Sequence, residues 1–140
     1  MNREIRSVLA VVAAALALIP QAAAAQSALS KAQEAVIAKK IARTSATEKQ
    51  MVAGWSDGKK LAEFFCSEAG LKEIAKQHKG ADRLALGPDD EGVKRFKVEG
   101  NRRVSGDATV RIGPNWKELS FDCVLDPAKA VVTSFTYAMK

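Results

Sequence analysis

Few side chains in this sequence could do chemistry, and their spacing narrows the choice. Cys66 and Cys123 are the two cysteines of the chain, and His78 is its one histidine. A nucleophilic thiol needs a base beside it, and a zinc site needs about four nitrogen or sulfur ligands. One histidine and no C-x-x-C spacing support neither arrangement, so no metal and no cofactor is expected. An even pair of cysteines is read first as a disulfide when the chain reaches an oxidising compartment. Joining Cys66 to Cys123 closes a loop of nearly sixty residues, which the loop-entropy account values at about 4 kcal/mol.

Carboxylates are more numerous. Glycoside hydrolysis uses two of them at a defined separation, and Glu63, Glu68, Glu73, Glu118, Asp122 and Asp126 offer many pairs. Sequence spacing selects none, and surface charge is their ordinary role. No serine sits in a G-x-S-x-G setting, and no phosphate-binding loop is present. No catalytic residue is assigned on this basis, and the balance leans away from an enzyme. The remaining candidate is a binding surface: Arg95, Lys97 and Arg111, with Arg102 and Arg103 nearby and Trp116 as an aromatic platform. Cations around a flat ring suit a phosphate, a sugar or a single strand of nucleic acid. The plainer account is that Glu118 and Asp122 pair with these cations across the sheet and that Trp116 packs at its edge.

These residues need elements to hold them. Ser30-Lys31-Ala32-Gln33 has capping-box spacing before a thin apolar stripe of Val36, Ile37 and Ile41, with Lys31, Lys39, Lys40 and Arg43 around it. The thin stripe favours a frayed helix or spacer over residues 26–54. The folded domain is expected over residues 55–140, starting near Trp55. Ser56-Asp57 caps a helix whose apolar side carries Leu61, Phe64 and Phe65, with Cys66 on the same helix. Ser67 or Gly70 is expected to break it. Leu71, Ile74 and Ala75 then make a second apolar turn, closed by Lys76, His78, Lys79 and Gly80. This places His78 at a helix terminus, a structural position.

Residues 80–92 read as a loop. Its acidic run, Asp89-Asp90-Glu91, lacks the ligand spacing of a calcium loop. Beyond it the period changes to alternation. Four strands joined by Gly100-Asn101, Gly113-Pro114-Asn115 and Asp126-Pro127 are marked by Phe96 and Val98, by Val110 and Ile112, by Leu119, Phe121 and Cys123, and by Val131 to Met139. The expected fold class is α+β: N-terminal helices on one face of an antiparallel, about four-stranded meander, with one disulfide.

The N-terminus has the three parts of a cleavable export signal. Arg3 and Arg6 charge the start, Ser7 to Ile19 is uncharged and apolar, and Ala23-Ala24-Ala25 follows Pro20. Cleavage is expected after Ala25, because the apolar run falls short of the roughly 20 residues that a membrane anchor needs. The location read from this is periplasmic or secreted, with no transmembrane segment once residues 1–25 are removed. Loss of Arg3, Arg6 and Glu4 brings the net charge from +6 to +5. A basic surface favours anionic partners.

The stretch from Trp55 to Met139 resembles the small exported alphaproteobacterial proteins called domain of unknown function 930. Lys60-Leu61-Ala62-Glu63, Cys66 and Ala69-Gly70-Leu71-Lys72-Glu73-Ile74 carry the resemblance. So do Trp116-Lys117-Glu118-Leu119-Ser120-Phe121-Asp122-Cys123 and Val131-Val132-Thr133-Ser134-Phe135-Thr136-Tyr137. The chain departs from that pattern at Gly54-Trp55-Ser56 and at Ser67-Glu68. The resemblance implies a Cys66–Cys123 bridge and an envelope location, and brings no activity. The expected function is a non-catalytic envelope protein whose partner is an anionic component or a protein, with no nucleic acid expected. The alternatives are a small cell-wall hydrolase and an inhibitor of a wall-degrading enzyme.

Overall fold

Three serines start three helices. Ser30, Ser45 and Ser56 each hold extended backbone while the side-chain oxygen accepts the N–H three residues on, from Gln33, Glu48 and Lys59. Gln33 and Glu48 return the bond to the cap N–H, completing two capping boxes. The computed structural model describes residues 27–86 and 96–140. The leader expected over residues 1–25, the Asp89–Gly92 turn and Arg95 lie outside the described residues.

The first two helices are α1 (Lys31–Ile41) and α2 (Ala46–Ala53). The third is continuous, running through α3 (Asp57–Leu61), a π-helical turn (Ala62–Cys66) and α4 (Ser67–Gln77). Gly70 does not break it. A Cβ there would sit 2.5 Å from the Phe135 ring and 2.7 Å from Leu84 Cδ2. The glycine therefore marks a close approach of helix to sheet, a role that helix propensity alone cannot signal. In the π-helical turn the Ser67 N–H reaches back to the Ala62 carbonyl, five residues away. This insertion helps bring Leu61, Ala62, Phe65 and Cys66 to one buried face.

Five strands form one antiparallel sheet: β1 (Ala81–Leu86), β2 (Phe96–Glu99), β3 (Arg103–Ile112), β4 (Asn115–Asp126) and β5 (Val131–Met139). β2 to β5 are the expected meander. β1 is a correction, because it occupies part of the stretch read as a loop. It pairs with the second half of β3 (Leu84 with Val110), while β2 pairs with the first half (Val98 with Val104). The two short strands thus lie end to end along one edge of β3. β1 escaped detection because it contributes two buried apolar residues, Leu84 and Leu86, and its partner is distant in sequence. The β3–β4 turn is Gly113-Pro114, with Gly113 at φ +59. Proline holds the next φ negative, the Gly-first pattern of a type II′ hairpin.

One sheet face is apolar. Val104, Ala108, Val110, Leu119, Phe121, Leu125 and Phe135 meet Leu61, Phe65 and Ile74 from the third helix. Cys66 and Cys123, both fully buried, are bonded across this layer with Cα atoms 6.0 Å apart. The α+β architecture and its staple therefore stand as expected.

The segment before Trp55 departs from the spacer reading. Helix α1 is packed on the domain, with Ile37 buried and Gln33 fully buried. Gln33 Nε2 donates to the Asn101 carbonyl (2.9 Å), and Ser30 Oγ donates to the Pro127 carbonyl (2.6 Å). Lys40 Nζ donates to the Phe64 carbonyl (2.6 Å) beside the π-helical turn. A thin apolar stripe suffices here because the two part-buried bonds from Ser30 and Gln33, each worth about 1 kcal/mol net, add to it.

Candidate functional site

The polar face of the sheet gathers the candidate side chains into two separate groups. At one end, strand register sets Arg83, Arg111 and Trp116 in a single row across β1, β3 and β4. Residues opposite one another in a sheet hold their Cβ atoms about 5 Å apart. The Arg111 guanidinium lies 5.9 Å from the Trp116 ring centroid, and Trp116 is 49% exposed. Arg111 is held in place by Asp82, with Nε donating to Oδ1 at 2.8 Å and Nη2 to Oδ2 at 2.6 Å. These bonds hold the Asp82 carboxyl below its usual range and push the guanidinium up. Asp82 can reach Arg111 because the strand bulges between Ala81 and Arg83. Arg83 has no ion pair among the described residues. Its charge also helps hold the Asp82 carboxyl down, so one carboxylate is shared by two guanidiniums and the row keeps a net positive charge.

The second group sits at the far end. Lys97 is opposite Ser105, six residues along β3 from Arg111 and so roughly 20 Å away. Its ammonium pairs with Glu99 (3.3 Å). Arg103 makes a two-pronged bond to Asp122, 2.8 Å at Nε and 2.5 Å at Nη2, which holds the Asp122 carboxyl below its usual range. The structure therefore brings Arg111 and Trp116 together and leaves Lys97 apart. Arg95 lies outside the described residues. Asp122 pairs a cation as the plainer account required, but that cation is Arg103. Arg83 was missed because it belongs to the strand that read as a loop.

The carboxylates are mostly engaged. Glu63 pairs with Lys59, Glu68 with Lys40 and Lys72, and Glu73 with Lys76. Asp126 accepts from the Ala128 and Lys129 N–H groups in the β4–β5 turn. Among the described residues no three His, Cys, Asp or Glu side chains converge as metal ligands. A cleft of about 360 Å³ lies where α4 meets β5, lined by Glu73, Gln77, His78, Phe135, Thr136, Tyr137 and Met139. His78 caps α4 and meets the Tyr137 ring edge-on at 6.2 Å. Glu73 is the one carboxylate among the described residues of that lining, which therefore do not supply the pair that glycoside hydrolysis uses.

The family model for Domain of Unknown Function (DUF930) matches residues 56–139, more than half of the chain. The chain belongs to this family. The DUF930 match covers the third helix and all five strands, including both cysteines, the Arg83–Arg111–Trp116 row and the α4/β5 cleft. Helices α1 and α2 precede it. No curated protein and no solved structure is significantly similar to the chain.

Proposed function

We propose that this DUF930 protein is exported and acts in the cell envelope as a non-catalytic binding protein for an acidic glycan. The observation that carries this reading is the Arg83–Arg111–Trp116 row. A sugar ring stacks on the exposed half of Trp116, while its carboxylate or phosphate lies between the two guanidiniums. Asp82 fixes Arg111 before the ligand arrives, which lowers the ordering cost of binding. Export is supported by the pattern of residues 1–25 and by the Cys66–Cys123 bridge, a bond typical of oxidising compartments.

Binding is checked by fluorescence. The two tryptophans are Trp55 and Trp116, so Trp55→Phe leaves Trp116 as the reporter. Titration with an oligogalacturonate or a phosphorylated oligosaccharide is expected to give a saturable change that weakens as salt rises. Arg83→Ala and Arg111→Ala are each expected to weaken it about tenfold, the scale of one charge-assisted contact. An equal response to neutral dextran, or none to either acidic sugar, refutes the reading. Export is checked separately, by fusing residues 1–25 to a phosphatase that is active only outside the cytoplasm. An inactive fusion refutes that half alone.

A further inference from the structure

The two edges of the sheet are built differently. The β1/β2 edge is shared by two short strands, bulges between Ala81 and Arg83, and carries Asp82, Arg83, Lys97 and Glu99. Charges, bulges and short strands keep an edge from pairing with another chain. At the other edge, β5 runs nine residues without a charged residue, a proline or a glycine. Its one irregularity, the register shift opposite Val124 and Leu125, lies before Ser134.

Past that point the hydrogen-bond phase of β5 is set. The Lys140 N–H donates to the Glu118 carbonyl, directly opposite it, so Ala138, Thr136 and Ser134 face β4 with their backbone groups. Phe135, Tyr137 and Met139 turn theirs to the open side. Among the described residues nothing bonds to these groups. The same three residues send their side chains to the helix side, where they line the 360 Å³ cleft with Glu73, Gln77 and His78. Tyr137 and Met139 are left half-buried.

We propose that a second copy of this chain occupies the edge, adding its β5 antiparallel across a twofold axis at Tyr137. Tyr137 then meets the partner's Tyr137, and Phe135 meets the partner's Met139. Such an interface is isologous, with each copy giving and receiving the same surface. The half-buried Tyr137 and Met139 favour this occupant, because the partner's β5 sets the same two side chains alongside them and covers the flank each leaves open. Charge favours it too. Two exported chains of net charge +5 repel, and a contact strand with no charge keeps that repulsion low where they meet. This inference is independent of the glycan row, which lies on the polar face of the sheet.

The test is molar mass by light scattering on the exported chain over a concentration series up to about 100 µM, because dimers form by mass action. A mass of two chains that falls on dilution is expected for the wild type. Tyr137→Pro removes an N–H that makes no bond within the fold, a substitution that an edge strand tolerates. Thr136→Lys places two lysines diagonally opposite each other across the axis, their Cβ atoms about 8 Å apart. Both variants are expected to be monomers, and Thr136→Lys decides alone where the proline variant does not fold. A monomeric wild type, or a dimer that survives Thr136→Lys, overturns the proposal.

Discussion

Replacing Cys66 and Cys123 together by alanine is expected to lower stability by about 4 kcal/mol. The bond spans 57 residues, so its removal returns a large conformational freedom to the unfolded state. Its position adds to the effect. Both sulfurs are fully buried between the third helix and β4, a strand with a neighbour on each side. Alanine leaves a small void there with no solvent to fill it. Urea titrations of the double variant and of the wild type in reductant check this, with the variant expected somewhat below the reduced wild type by the cost of the void. A midpoint for the variant unchanged from the oxidised wild type would mean that helix–sheet packing alone fixes the layers.

Gly70→Ala tests that packing directly, and its sign is informative. At an exposed helical site the change is worth about 1 kcal/mol in favour of alanine. Here the new methyl would lie 2.5 Å from the Phe135 ring and 2.7 Å from Leu84 Cδ2. The ring cannot swing freely, because Phe135 is stacked on Phe121 with centroids 5.8 Å apart and planes 5° from parallel. Helix and sheet must separate, and overpacking of this kind costs about 1–3 kcal/mol beyond the propensity gain. Denaturant unfolding is expected to show net destabilisation. A stabilised variant would contradict the close approach.

Much of this architecture was legible because its signals are local. Alternation at Leu119, Phe121 and Cys123 gave both a strand and the direction of the cysteine, and Gly113-Pro114 gave the hairpin. What stayed hidden depends on partners distant in sequence. β1 is a strand because Val110 and Ala108 are there to receive Leu84 and Leu86. Gly70 reads as a breaker unless Phe135 is known to lie across from it. In the candidate site the same limit applied: Arg111 and Trp116 lie either side of one tight turn and were found together. Arg83 arrives from a strand that the pattern did not show, and Lys97 shares the face but not the place.

Helix α1 makes the folding unit longer than the stretch that the family model matches. The family match begins at residue 56, yet Gln33, Ser30 and Lys40 reach past that boundary to the carbonyls of Asn101, Pro127 and Phe64. A chain cut at the boundary would present those acceptors to water and uncover the seat of Ile37. The sheet and its staple lie inside the matched stretch, and this helix closes over them from outside it.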